Sequence, residues 1–239
     1  MRYAIIAAGE GSRLAQEGIS TPKPLVEVGG EMLIDRLLRV FVDNGAAEVC
    51  VIVNDRHPAT TEHLRQLQQK GWPLKYIVKT TPSSMHSLYE LRELLEGDEP
   101  YVLTTVDTVF READFHRYVK ALEQMLRYGV ADGLMGVTEY IDDEKPLYVA
   151  TDDNLNIRSF LDCSPDARYI SGGIYGLMPR SLDILRDCVE RGESRMRNFQ
   201  RALLAGGLRL KAWPFGQVFD IDHASDIAKA ETFLRNGEL

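Results

Sequence analysis

The chain has 239 residues, 44% hydrophobic and 27% charged, and carries a formal net charge of −8. That length fits one large domain or two small ones and is enough to bury a sizeable core. The acidic balance excludes general nucleic-acid binding, which needs a basic face, so any phosphate chemistry has to be local.

The opening "MRYAIIAAGEG" is shorter than a secretory apolar region and has no cleavage site, and no apolar run approaches a membrane span. A cytoplasmic location without membrane contact is the expectation. Cys50, Cys163 and Cys188 are widely spaced with no CxxC pair, which suggests core thiols rather than a disulfide framework or zinc site.

Apolar runs and helical periods alternate along the first half. "YAIIAAG" reads as a buried strand, "EMLIDRLLRVFVDNG" as an amphipathic helix ending at Asn44-Gly45, and "EVCVIVN" as a second strand. "TTEHLRQLQQKG" predicts a helix, "LKYIV" a strand, "SSMHSLYELRELLEG" a helix and "YVLTTVD" another buried strand. A helix over "READFHRYVKALEQMLRYG" precedes the extended pieces "ADGLMGVTEY", "PLYVAT", "NIRSFL" and "YISGGIYGLM", which look antiparallel. Helices over "PRSLDILRDCVERG" and "SRMRNFQRALLAGG", strands "RLKAWPF" and "VFDID", and a helix from about Ser225 to Arg235 complete the chain. The sum is an α/β protein with a mixed, mostly parallel sheet covered by helices. With no internal repeat and no low-complexity linker, a single domain over 1–239 is expected.

The first strand runs into Gly9, Gly11 and Ser12, glycines that let backbone N–H groups approach and surround phosphate oxygens. Arg13 adds a planar cation. Alone, this loop could equally be a structural turn; it lacks the third glycine of a dinucleotide fingerprint and the GK[ST] of a P-loop. Lys23 follows between Pro22 and Pro24, which stiffen the backbone around it. By itself "PKP" also suits a surface lysine in a turn.

The combination is more specific. Ala8-Gly9-Glu10-Gly11-Ser12-Arg13-Leu14, seven residues, then Pro22-Lys23-Pro24-Leu25 resembles the signature of nucleotidyltransferases that make nucleoside-diphosphate sugars and related activated compounds. Gln16 and Gly18 stand where many sugar-specific members carry Pro and Thr. The resemblance implies a Rossmann-like, glycosyltransferase-A-type three-layer sandwich. Its nucleotide-binding half would cover about 1–110 and its acceptor-binding half about 111–239. It also implies that Ala8, Gly9, Gly11, Ser12 and Arg13 grip nucleotide and triphosphate, with Arg13 and Lys23 as the catalytic cations.

Joining two anions calls for a divalent metal, Mg²⁺ being the natural choice, held by one or two carboxylates. Asp107 ends a buried strand at the carboxyl edge, where open α/β sheets bind ligands, and the family places a metal ligand there. A helix or turn cap before "TVFREADF" is the less favoured alternative for the same residue. In "QVFDIDHASDIAKAE", Asp220 and Asp222 are expected two apart on a strand and on one face, with Ile221 on the other. This ending resembles that of cytidylyltransferases acting on choline phosphate or acidic sugars, which favours Asp222 as ligand and Asp220 as second choice. Asp226 is explained as a charge in the first helical turn.

Ser83, Ser84 and His86 open a helix whose Ser-Leu-Tyr pattern looks like the nucleotide-facing segment of bacterial choline-phosphate cytidylyltransferases; capping accounts for the serines equally well. Ser83 and Ser84 are assigned to nucleotide, and His86 to no catalytic role. "Glu144-Lys145-Pro146" precedes, rather than follows, the stretch after which sugar members place their acceptor lysine. Lys145 and Gly173 are acceptor candidates, with Gly172, Arg195 and Arg197 behind them.

The sequence therefore predicts a Mg²⁺-dependent enzyme. It would transfer NMP from an NTP, CTP or UTP favoured, to a sugar phosphate or amino-alcohol phosphate. A catalytically silent nucleotide-binding module of the same fold is the rival. A dinucleotide oxidoreductase fits less well, having Leu14 where a glycine is needed and only Asn54-Asp55 to supply a ribose-binding acid.

Overall fold

A computed structural model describes residues 1–141, 145–164 and 166–236. Its first half contains β1 (Arg2–Ala7), α1 (Ser12–Gln16), a 3₁₀ turn (Lys23–Leu25), β2 (Glu27–Val28), β3 (Glu31–Met32), α2 (Leu33–Asp43) and β4 (Val49–Val53). α3 (Pro58–Gln69), β5 (Leu74–Val78), α4 (Ser84–Leu95), β6 (Tyr101–Thr105), β7 (Thr108–Val109) and α5 (Glu112–Arg127) follow. The remainder is β8 (Gly133–Thr138), β9 (Tyr148–Thr151), β10 (Ile157–Leu161), β11 (Tyr169–Leu177), α6 (Arg180–Glu190), α7 (Met196–Ala205), β12 (Leu210–Phe215), β13 (Phe219–Asp220) and α8 (Ala224–Arg235).

One sheet carries the order β10-β9-β11-β6-β1-β4-β5, with β8 pairing β11 and β12. In it β1, β4, β5, β6, β8, β9 and β12 run one way, and β10 and β11 run the other. Period-two alternation divides the core between its faces. On β1, Tyr3, Ile5 and Ala7 join one cluster with Leu37 and Phe41 of α2, Phe115 and Leu122 of α5 and Phe233 of α8. Ala4, Ile6 and Ala8 point the other way, toward Met85 and Leu88 of α4, Leu185 of α6 and Phe199 of α7. The result is the three-layer α/β sandwich with a mixed, mostly parallel sheet.

β11 inverts direction beside β6 and links the two ends of the sheet, so it packs tightly. A Cβ at Gly176 would lie 2.5 Å from Leu122 Cδ2 and 2.6 Å from the Tyr118 hydroxyl. That hydroxyl already donates to the Leu134 carbonyl at 2.8 Å. Gly176→Ala is therefore expected to destabilise the protein by about 1–3 kcal/mol through overpacking, measured by urea denaturation.

Candidate active site

The glycine loop leaves the carboxyl end of β1. Gly11 has φ +63°, and a Cβ there would meet Lys23 Cβ at 3.3 Å, so a side chain would be strained by its backbone and crowded by the lysine. Leu14 is buried and anchors the short α1, while Ser12 and Arg13 are exposed. The chain returns through Pro22 into the 3₁₀ turn, where Pro24 is buried and Lys23 is aimed back at the sheet edge.

There the Lys23 ammonium makes two short ion pairs, 2.6 Å to Asp107 Oδ2 and 2.7 Å to Asp222 Oδ1. Arg13 Nη1 donates to the other oxygen of Asp222 at 2.7 Å. Residues far apart in sequence are thus gathered at one point. A two-residue ladder achieves this: β7 pairs β13 antiparallel, Thr108 opposite Asp220, and the Ile221 N–H donates to the Asp107 carbonyl at 3.1 Å. Ile221 is fully buried and pins the segment.

The strand ends sooner than the sequence suggested. It stops at Asp220, and the Asp222 N–H bonds back to the Asp220 carbonyl at 3.1 Å. Asp220 and Asp222 are therefore not successive members of one strand face. The physical cause is the helix start: Asp226 Oδ2 accepts the N–H groups of Asp222 (3.2 Å) and His223 (2.8 Å), a capping box that turns the backbone out of the ladder. Asp226 thus does more than favour the helix dipole. Asp220 accepts a bond from Thr108 Oγ1 at 3.3 Å, and Thr108 is bonded in turn to Thr105.

Charge explains the titration behaviour. Burial pushes the Asp107 carboxyl upward, but the adjacent Lys23 cation outweighs it and leaves the group below its ordinary value. Burial likewise disfavours the Lys23 cation, yet Asp107 and Asp222 together hold it well above the usual lysine value. Lys23 is therefore a fixed cation, not a proton donor or acceptor, at neutral pH.

Sequence reasoning missed Glu17, in the stretch where only absent landmarks were noticed. Its Oε2 accepts the Ala224 N–H at 2.7 Å, and Oε1 pairs with His223 Nδ1 at 2.6 Å. Glu17 thereby caps α8 from the glycine loop and fixes the loop to the segment carrying Asp222. The hydrogen bond to Glu17 raises the His223 pKa. In Glu17→Ala, amide hydrogen exchange at Ala224 is expected to quicken roughly fivefold, the equivalent of about 1 kcal/mol for a lost cap. Glu17→Gln, which keeps an acceptor, should recover most of the protection.

Ala8, Gly9, Gly11, Lys23, Ser83, Ser84 and Asp107 line one cleft of ≈ 720 Å³. Thr80 and Thr81 line it too, with no motif in the sequence to mark them. Ser83 caps α4, its Oγ accepting the His86 N–H at 3.4 Å, and Asn54 is buried with its Nδ2 donating to the Ala8 carbonyl at 3.0 Å. Asn54 therefore shapes the loop from β4, and Asp55, the acid of that pair, is hydrogen-bonded by Thr80 Oγ1. Arg13, Asp220 and Asp222 line a neighbouring cleft.

Lys145 and Gly173 come together in a third cleft of ≈ 280 Å³, with Arg195, Arg197, Ser84 and Asp220. Gly173 has φ +71° within an irregularity of β11 and faces Thr108. Glu144 lies outside the described residues. Arg197 is engaged, bonding Asp162 at 2.5 Å and the Lys145 carbonyl at 2.8 Å. Arg195 has φ +83°, a conformation rare for a side-chain-bearing residue, and no carboxylate partner among the described residues.

Asp107 and Asp222 are hard oxygen donors that suit a divalent cation, and the point they share is held in this structure by the Lys23 ammonium. No group of three or more His, Cys, Asp or Glu residues surrounds such a point among the described residues. Mg²⁺ uses few protein ligands and retains waters, so a pair suffices. No helix among the described residues is long and apolar enough to cross a membrane.

A glycine loop at the carboxyl edge of the sheet, with two cations and two converging carboxylates beside it, makes this an α/β protein with a charged site at its strand ends. Residues 3–137, more than half of the chain, match the MobA-like NTP transferase domain, and the chain belongs to that family. It is 30% identical over 160 residues to CMP-5'-(3-aminopropyl)phosphonate synthase of Streptomyces rubellomurinus, a match covering 61% of this chain and 25% of that protein. Mannose-1-phosphate guanyltransferase of Saccharomyces cerevisiae is 25% identical over 203 residues, 77% of this chain and 52% of the other. The chain thus spans between a quarter and about half of these relatives. A Bacillus anthracis protein assigned as a glucose-1-phosphate thymidylyltransferase shares the fold, with a TM-score of 0.84 at 20% identity over 99% of this chain and 96% of that one.

Proposed function

We propose that the protein transfers a nucleoside monophosphate from an NTP to a phosphorylated small-molecule acceptor and releases pyrophosphate. The observation that carries this reading is the convergence of Asp107 and Asp222 on Lys23 beside the glycine loop. An acceptor phosphate oxygen would bond to the α-phosphorus while the α–β bridging bond breaks and pyrophosphate departs with the electron pair. The nucleophile is already anionic at neutral pH, so no general base is required.

The loop from Ala8 to Ser12 would present backbone N–H groups to the phosphates, and Arg13 and Lys23 would offset the charge that develops on them. Asp107 and Asp222 would hold Mg²⁺, which when bound offsets phosphate charge and orients the oxygens. Ser83 and Ser84 would face the nucleotide. CTP is the favoured donor and UTP the second, on the resemblance of the 220–231 segment to cytidylyltransferases and the 30% identity to a relative named for synthesis of a CMP-linked phosphonate. A pyrophosphate-release matrix of four NTPs against phosphorylated sugars and amino-alcohols, with and without Mg²⁺, tests this. NTP binding without release on any acceptor would instead establish the silent nucleotide-binding module.

Lys145, Arg195 and Gly173 would form the acceptor side. The rare Arg195 conformation costs on the order of 1–3 kcal/mol, which a glycine would not incur. Arg195→Gly is therefore expected to leave Tm unchanged or raised while increasing acceptor KM about tenfold and leaving NTP KM alone. A fall in Tm with unchanged acceptor KM would assign Arg195 to structure.

A further inference from the structure

A fourth cleft, of ≈ 680 Å³, opens where the β2–β3 hairpin, α2, the start of α5 and the end of α8 meet. It brings Arg36, Arg39, Arg111 and Arg235 together with Glu31, Glu112 and Glu231. The carboxylates are largely engaged. Arg39 clamps Glu31 through two bonds of 2.9 and 2.8 Å and Glu112 through two more of the same lengths, while Glu231 accepts the Gly29 N–H at 3.2 Å.

The other three arginines have no close carboxylate of their own among the described residues, although Arg36 Nη2 donates to the Phe110 carbonyl at 2.5 Å, its guanidinium lies over the Phe110 ring at 5.4 Å, and Arg235 is exposed to solvent. Arg36 is 97% buried, and its nearest carboxylate is Glu112 at 3.8 Å, already clamped by Arg39. Arg111 rests its guanidinium over the Phe233 ring at 4.7 Å, and neither it nor Arg235 has a carboxylate partner among the described residues. Three buried side-chain polar atoms lack a hydrogen-bond partner among the described residues, and two of them, Arg36 Nη1 and Arg111 Nε, belong to this cleft. A buried unpartnered group is costly, more so when charged, and calls for a water or an ion to complete it. The 16-residue α5 begins at the same place, with no side chain capping it, so Glu112 and Ala113 bring N–H groups to the cleft.

We infer that this cleft is a second anion site, separate from the glycine loop, that takes the phosphate group of a small phosphorylated molecule. Guanidinium forks and a helix start match the tetrahedral oxyanion, and the volume accommodates a small metabolite. The net charge of −8 disfavours a polyanionic macromolecule. The position also matters: Arg111 follows Asp107 by one short strand, and α8 runs from the Asp222 segment to Arg235. Both segments that carry the site carboxylates therefore end in this cleft.

The test uses the whole chain with inorganic phosphate as probe and tungstate, its heavy analogue, to locate it. Crystals soaked in tungstate should show an anomalous peak between Arg111 and Arg235 in addition to any at the glycine loop. Calorimetric titration with phosphate should find a site whose Kd rises at least tenfold in Arg111→Gln/Arg235→Gln, with the exposed Arg235→Gln alone giving an intermediate loss. Circular dichroism of each variant without phosphate verifies folding. A tungstate peak confined to the glycine loop overturns the inference. So does phosphate binding unchanged in the double variant, or equal stabilisation by acetate or chloride at matched ionic strength.

Discussion

Asp107→Asn is expected to lower kcat for pyrophosphate release by at least about 10²–10³-fold, the range seen when one preorganised electrostatic partner of a transition state is removed. The isosteric amide keeps the shape of the strand end and the Ile221 N–H to Asp107 carbonyl bond, which is a main-chain contact. The ion pair to Lys23 is weakened, but Asp222 still holds that ammonium at 2.7 Å, so the loss should be smaller than the ~3–5 kcal/mol for stranding a buried charge. The two effects separate by pH. The wild-type Asp107 carboxyl is held below its ordinary value, so its contribution to stability is complete above the unfolded-state pKa. It is lost as pH falls through the folded-state pKa. The difference in Tm between wild type and Asp107→Asn should therefore be constant near neutrality and shrink on acidification. Near-normal turnover by the folded variant would remove Asp107 from the metal site.

Much of the scaffold was legible because hydrophobic period and turn residues act locally. "YAIIAAG" became β1, and "SSMHSLYELRELLEG" became α4 with Ser83 as its cap. The cations and carboxylates were also legible as candidates, since the Gly11–Arg13–Lys23 spacing and the strand-end Asp107 are visible in one dimension. What brings them together was not. The β7–β13 ladder has two residues on each side, too few for any periodic signal, and it is seated by long-range burial of Val109, Phe219 and Ile221. Its brevity is also why Asp222 does not follow strand alternation. Glu17 was invisible for a related reason: a glutamate in a loop has no signature until the start of α8 presents an N–H to it. The strained Arg195 likewise belongs to tertiary structure, because nothing in "ESRMRN" announces a positive φ. The arginines of the cleft between α2, the start of α5 and the end of α8 come from those three elements, so no sequence window contains them.

Lys23→Met should be the other severe variant, and for two reasons that a single experiment can distinguish. Chemically it removes a cation proposed to act on the triphosphate, so kcat should fall on the order of 10²–10³-fold. Structurally it leaves Asp107 and Asp222 facing each other without the ammonium that both contact, 2.6 and 2.7 Å away in the wild type. Two carboxylates in that relation repel, and buried Asp107, without the lysine that offsets its burial, is expected to shift upward unless another cation replaces it. Arg13 only partly compensates, being exposed and bonded to Asp222 alone. In the absence of divalent metal the variant should therefore lose stability relative to wild type at neutral pH and recover part of it on acidification. Mg²⁺ should raise its Tm more than it raises that of the wild type, because in the wild type Lys23 already occupies the place between the carboxylates. A Tm response to Mg²⁺ no larger than that of wild type would mean that Asp107 and Asp222 do not form the metal site, whatever the turnover. A normal kcat with an enhanced Mg²⁺ response would keep the metal site and remove Lys23 from the chemistry.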